Sequence, residues 1–134
     1  MKLFVYGSLM ARRELERVLG RVYSQPLVPF VLSGYRRDWS ASENGAAYLN
    51  LTAVPESSTT GFIAEIDPGD LPRLDAWEST YERVRVGNVQ TYVCRPEFRN
   101  QGKVVSRTYW LLVQSALSEP LPELPGHLTM TDEA

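Results

Sequence analysis

Only two short stretches of this chain carry helical periodicity, and almost everything else reads as strand or turn. In residues 9–19, Leu9, Leu15, Val18 and Leu19 suit one helical face that stops at Gly20. Residues 71–79 follow the turn Asp67-Pro68-Gly69-Asp70, with Asp70 placed to cap a helix that tolerates Pro72 in its first turn. Two short helices cannot cover both faces of a parallel sheet, so a doubly wound fold is excluded. The expected class is α+β: one domain, a mixed sheet curled into a β-barrel, and short flanking helices.

The strand candidates are the run Leu3-Phe4-Val5-Tyr6 and residues 27–35, 59–66, 81–94 and 104–114. Pro29 makes residues 27–35 an edge or bent strand, and Gly61 marks a bulge in 59–66. Residues 40–45 read as a polar loop, and residues 96–102 as a hairpin connection. The domain is expected to span residues 1–118. Residues 119–134 carry Pro120, Pro122 and Pro125 and read as an extended Pro-rich tail with a frayed end at Thr131-Asp132-Glu133-Ala134.

Charge and sulfur content exclude several functions. In 134 residues, 16 acids against 14 scattered bases give a formal charge of −2, which suits neither a nucleic-acid groove nor an anionic membrane patch. The expected partners are small molecules, with the chain a monomer or homodimer. Cys94 is the single cysteine and His127 the single histidine, so the chain has neither a disulfide framework nor the ligands of a structural zinc site. The first apolar run is too short for a signal-peptide core and no later run approaches a membrane span, so the expected location is cytoplasmic.

Two constellations point to chemistry. In Val5-Tyr6-Gly7-Ser8-Leu9 a strand passes through a glycine into a helix start, where outward backbone N–H groups suit a carboxylate or a developing oxyanion. The plainer alternative is a turn made by Gly7 and capped by Ser8. Neither a phosphate loop nor a nucleophile elbow fits, because no Gly-Lys-Ser/Thr follows and Met10 stands where the elbow needs glycine. The second constellation is Leu74-Asp75-Ala76-Trp77-Glu78. At about 100° per residue, Glu78 projects only about 20° from Leu71, on the stripe that should face the core. A carboxyl held there loses hydration, so its pKa rises toward neutrality and it can both take and give a proton. The alternative is a frayed helix end with Glu78 paired to Arg83 or Arg85; Asp75 is the weaker acid and suits local pairing.

Other residues carry less. Arg36, Arg37, Arg83 and Arg85 read first as surface charges. Tyr109, on a strand face with Arg107, is either a core aromatic or a hydrogen-bond donor to a substrate. A Ser8–His127 dyad needs the tail to fold back over the helix start, and a hydrolase built on Ser8 would depend on it. Cys94 has no evident activating neighbour except Arg95.

Taken in order, Phe4-Val5-Tyr6-Gly7-Ser8-Leu9, the strand Gly61-Phe62-Ile63-Ala64, Leu74-Asp75-Ala76-Trp77-Glu78 with Tyr81 and Arg83, and Arg107-Thr108-Tyr109 resemble the γ-glutamylcyclotransferase-like family. Leu9 is similar to the compact AIG2-like branch; Gly7-Ser8-Leu9-Met10 and Gly34-Tyr35-Arg36-Arg37 also resemble the ChaC-like branch. The resemblance implies a cavity between the Tyr-Gly-Ser loop and the acid, and a cofactor-free reaction in which the α-amine of a γ-glutamyl unit attacks its own γ-carbonyl, releasing 5-oxoproline and a free amine. It implies Glu78 as general base and acid, the backbone of Gly7, Ser8 and Leu9 as the substrate cradle, and Tyr6 and Tyr109 as pocket walls. No metal is called for. The competing expectation is a catalytically silent domain of the same fold that binds a small metabolite or a partner.

Overall fold

The computed structural model describes residues 1–132. Its elements run β1 (Lys2–Val5), a 3-10 turn (Ser8–Met10), α1 (Arg12–Leu19), β2 (Val28–Glu43), β3 (Ala46–Glu65), a 3-10 turn (Pro68–Asp70), α2 (Leu71–Trp77), β4 (Tyr81–Val86), β5 (Val89–Cys94), a 3-10 turn (Pro96–Phe98), β6 (Val104–Ser106), α3 (Arg107–Gln114) and β7 (Thr129–Thr131). The class is α+β with one mixed sheet, as expected. The sheet is ordered β4-β5-β1-β3-β6-β7, with β2 on β3.

The central element is the β2–β3 hairpin, whose strands have 16 and 20 residues. Its tip is Asn44-Gly45, with φ of 52° and 84°. Two consecutive positive φ values make the turn that matches the right-handed twist of a hairpin, and Asn-Gly is the dipeptide best suited to it. Residues 40–45 are thus strand and tight turn rather than a loop. Register shifts between Ser33 and Tyr35 and between Asp38 and Ala41 bend the hairpin, so that one end of β3 pairs with β1 and its other end meets β6. The curl is held by Asn50: its Oδ1 accepts from the Cys94 N–H at 2.9 Å and its Nδ2 donates to Ser40 Oγ at 3.0 Å, which joins β5 to β2 and β3 by side-chain bonds.

Gly61 is not a bulge. It pairs in register with Phe30, and an added Cβ would lie 2.5 Å from the Val5 carbonyl oxygen and 2.8 Å from the Phe4 ring. The missing side chain lets β1 cross closely over β3. The core lies inside the curl, with Leu3, Leu15, Leu49, Leu51, Leu74 and Val105 all buried.

Three further expectations are corrected. Residues 81–94 are two strands folded at Gly87, whose φ is 61°. Residues 104–114 form a three-residue strand and then α3, so Arg107 and Tyr109 sit on a helix and share no strand face. The Ser106 hydroxyl accepts from the Tyr109 N–H at 3.3 Å and caps that helix, which overrides the strand preference of Thr108, Tyr109, Trp110 and Val113. Asp70 makes no cap bond at α2; it pairs with Arg21, while Asp67 accepts from the Gly69 N–H at 2.9 Å and caps the 3-10 turn before the helix.

The Pro-rich segment does not extend away from the sheet. Leu121 and Leu128 are buried in the core, the Trp39 indole donates to the Pro122 carbonyl at 2.9 Å, and β7 pairs in parallel with β6. Of the frayed end expected after Thr131, Glu133 and Ala134 lie outside the described residues. No helix among the described residues is long and apolar enough to cross a membrane.

Candidate active site

Strand β1 delivers Phe4, Val5 and Tyr6 to one end of a cavity of about 540 Å³, and the chain then turns through Gly7 and Ser8 into the 3-10 turn. The turn's own backbone bonds run from the Met10 N–H to the Gly7 carbonyl and from the Ala11 N–H to the Ser8 carbonyl, both at 3.0 Å. Neither uses the N–H of Gly7, Ser8 or Leu9, which leaves three donors at the start of a helical turn, where a ligand carboxylate or oxyanion is best received. Ser8 makes no side-chain cap bond to this turn; the cap residue is Gly7. Leu9 buries its side chain in the core and offers only backbone.

The loop is fixed from behind. Arg37, read as a surface charge, is buried: its Nε donates to the Tyr6 carbonyl at 3.1 Å and its guanidinium also bonds the Thr60 carbonyl. Burial lowers its pKa. The Tyr6 hydroxyl donates to the Tyr92 carbonyl at 2.6 Å, which ties β1 to β5. Both bonds hold the backbone just before Gly7, and the second keeps the Tyr6 ring against the cavity.

Glu78 arrives from the opposite side. Helix α2 ends at Trp77 because Glu78 leaves helical geometry, with φ −87° and ψ 50°, while its N–H still donates to the Leu74 carbonyl at 2.9 Å. The stripe of Leu71, Leu74 and Glu78 faces inward: Leu74 is sealed in the core and Glu78 lines the cavity. Every fully buried side-chain nitrogen or oxygen among the described residues has a hydrogen-bond partner. The Glu78 carboxyl has no hydrogen bond and no ion pair among the described residues, so its oxygens must open onto the cavity. The alternative partners are engaged elsewhere, Arg83 with Asp75 and Gln90, and Arg85 with the Gly87 carbonyl. Burial, with a smaller contribution from the negative charge of Glu43, pushes the Glu78 carboxyl up to about 7. A group with that pKa is divided between its two protonation states near neutral pH, the requirement for moving one proton twice.

Tyrosines make the walls. The Tyr109 hydroxyl accepts from the Leu49 N–H at 3.3 Å and lies 3.4 Å from where a Gly7 Cβ would stand, so α3 abuts the loop. Nothing among the described residues takes its own proton, which leaves that hydroxyl free to donate into the cavity. The Tyr81 hydroxyl donates to the Leu49 carbonyl at 2.9 Å. Burial raises the pKa of Tyr6, Tyr81 and Tyr109, so all three stay neutral and polar without carrying charge.

The cavity therefore brings together Tyr6, Gly7, Ser8, Leu9, Glu78 and Tyr109, the residues singled out in the sequence. His127 and Cys94 are not among its walls, and His127 is exposed. Glu43 and Tyr48, from the stretch 40–48 expected to border the pocket, and Trp77 of the acid motif also line it, together with three residues not anticipated in the sequence, Glu14 and Arg17 from α1 and Tyr92 from β5. The signal for the hairpin pair was Asn44-Gly45, which sets Glu43 opposite Ala46 and Tyr48 opposite Ala41, so that Glu43 and Tyr48 share one face of the hairpin. No group of three or more His, Cys, Asp or Glu placed to hold a metal occurs among the described residues.

A sequence profile described as γ-glutamyl cyclotransferase, AIG2-like, matches residues 3–112. No curated protein sequence matches significantly. Among solved structures, YkqA from Bacillus subtilis superposes with a TM-score of 0.72 at 17% identity, over 91% of this chain and 49% of that one. The chain thus spans about half the length of that protein. At3g28950.1 from Arabidopsis thaliana gives 0.57 at 25% identity, over 85% of this chain and 74% of the other. A solved γ-glutamyl cyclotransferase gives 0.61 at 13% identity, over 86% and 76%.

Proposed function

The chain belongs to the AIG2-like γ-glutamyl cyclotransferase family, and we propose that it catalyses the intramolecular aminolysis of a γ-glutamyl amide, with Glu78 as the proton carrier. The observation that carries this reading is a carboxyl without a partner among the described residues, pushed up to about 7 by burial, in the same cavity as the free backbone donors of the Tyr6-Gly7-Ser8-Leu9 loop.

In this reading the α-carboxylate of the γ-glutamyl unit lies on the N–H groups of Gly7, Ser8 and Leu9. Ionised Glu78 removes a proton from the α-ammonium. The freed amine attacks the γ-carbonyl carbon, forming the ring C–N bond and a tetrahedral oxyanion, to which the Tyr109 hydroxyl is free to donate. As the oxyanion collapses, protonated Glu78 returns its proton to the leaving nitrogen and that bond breaks; Glu78, ionised again, then takes the second proton from the ring nitrogen and passes it to the departing amine, which leaves as an ammonium. The products are 5-oxoproline and an amine, and Glu78 ends as it began.

Nucleophile and electrophile are in one molecule, so the protein has only to fold the substrate toward a five-membered ring, exclude water and move a proton. The chemistry asks for neither a covalent intermediate nor a cofactor, and the proposal includes none. The partner is a small γ-glutamyl molecule, and the proposed location is the cytoplasm.

The test is 5-oxoproline release from a panel of γ-glutamyl amines, γ-glutamyl amino acids and glutathione, run on the parent protein and on Glu78→Gln. Release from at least one substrate, lost in the folded variant, is the expected result. Binding of the panel without any release would contradict the proposal and favour a silent binding domain.

A further inference from the structure

We infer that the leaving-group end of the cavity selects an amine that carries a second, positively charged group, and that Glu43 is the residue that selects it. This rests on the cyclotransferase reading above and concerns only what lies beyond the scissile bond.

The cavity has a floor and a rim. Its floor is buried Tyr6, Leu9 and Tyr92 with the Gly7–Ser8 backbone, where the γ-glutamyl unit is held. The exposed lining residues are Arg17, Glu43, Trp77 and Thr108, and they mark the mouth. A leaving amine attached at the γ-carbonyl points from Glu78 toward that mouth, because the floor is taken by the other end of the substrate.

The charges at the mouth are unequal in availability. Arg17 bonds Glu14 at 2.5 Å and its guanidinium lies 5.0 Å above the Trp77 ring, so its charge already has two partners. Glu43 has no ion pair and no hydrogen bond among the described residues, although it lines the same cavity. The Tyr48 hydroxyl, on the same face of the hairpin and diagonal to Glu43 across its strands, has no hydrogen-bond partner among the described residues either. An ammonium arriving here meets a free carboxylate and the edge of an aromatic wall. A carboxylate meets the free charge of Glu43 and an arginine already engaged. Glu43 also contributes to raising the Glu78 carboxyl, which shows that its field reaches the reacting end of the cavity. The same field disfavours an anion on the leaving group and favours a cation.

The experiment compares three γ-glutamyl amides of similar chain length, made with diaminobutane, pentylamine and aminopentanoate, so that the far end is positive, neutral or negative. The expected order of kcat/KM is diaminobutane, then pentylamine, then aminopentanoate. For one half-solvated charge each step is about threefold to fivefold, and smaller at high salt. Glu43→Gln should compress the ratios toward one, and Glu43→Lys should reverse their order. A carboxylate amide turned over as fast as the diamine amide, or an order that survives Glu43→Gln, overturns this inference and leaves the cyclotransferase reading intact. Release from the wider panel but not from the diamine amide overturns it in the same way. Absence of 5-oxoproline from every substrate removes both.

Discussion

Helix α2 carries Asp75, and Glu78 caps its C-terminal end three residues on; the regions these two carboxylates face treat them in opposite ways. Asp75 faces the groove between α2 and the β4–β5 hairpin. There it accepts from Arg83 Nε at 3.1 Å and from the Tyr92 hydroxyl at 2.6 Å, and the Arg83 bond, reinforced by that of Tyr92, holds its pKa below the usual carboxylate range. Glu78 faces the cavity, accepts no hydrogen bond among the described residues, and is pushed up to about 7 by burial. One acid is satisfied and structural. The other is left without a partner in a place where burial should demand one, and a protein tolerates that arrangement where a ligand completes it. Satisfied and unsatisfied groups on one short helix thus divide the work: Asp75 clamps α2 onto β4 and β5, and the clamp aims Glu78.

The largest expected effect is on the cavity side. Glu78→Gln should lower kcat for 5-oxoproline release by about a thousandfold, the scale of losing a general base that also serves as acid, with the circular dichroism spectrum unchanged. A loss of tenfold or less would make Glu78 a bystander and end the contrast with Asp75.

The next effect is on stability against pH. The folded pKa of Glu78 lies above its value in the unfolded chain, so the folded state holds the proton more tightly. Unfolding free energy should therefore fall as pH rises from about 4.5 to about 7 and level off above, by about 3 kcal/mol in all. Glu78→Gln should remove that slope in urea titrations. Asp75 has the opposite sign: its contribution is present above the ordinary carboxylate range and is lost as pH falls through its lowered folded value.

Tyr109→Phe should lower kcat/KM about tenfold, because it removes a hydroxyl free to donate into the cavity beside the loop and leaves the Leu49 N–H without its acceptor. Asp75→Ala should be the mildest, costing about 1 kcal/mol in chemical denaturation, since Asp75 is 44% exposed and its ion pair is partly screened. Its mark should fall on stability more than on the chemical step. If Asp75→Ala instead matched Glu78→Gln in activity with little loss of stability, the division between clamp and proton carrier would be wrong.

The local parts of this arrangement are legible in the sequence. Phe4-Val5-Tyr6-Gly7-Ser8 shows its strand and turn in five residues, and Glu78 betrays itself by occupying a leucine's place on a 3.6-residue stripe. What depends on distant contacts is not. Arg37 looks like a surface charge until β1 and β3 bring the Tyr6 and Thr60 carbonyls to it. Residues 107–114 have strand propensity, and only the Ser106 cap and the packing of Val113 against the sheet make them a helix that turns Tyr109 toward Gly7. Leu121 and Leu128 sit in a Pro-rich run with no period, so nothing local announces that they reach the core. Glu43 and Tyr48 were within reach, because Asn44-Gly45 is a hairpin signal, but that they line the cavity follows from the bend of a hairpin with two register shifts.

The central claim is that Glu78 is an unpartnered carboxyl whose surroundings set it near neutrality. Carbon-13 NMR of protein labelled at the glutamate side-chain carboxyl, with the Glu78 signal assigned by its loss in Glu78→Gln, measures this directly. The account predicts a titration midpoint at about 7 in the free protein. A midpoint at about 4.5, the ordinary value for a glutamate, would contradict it.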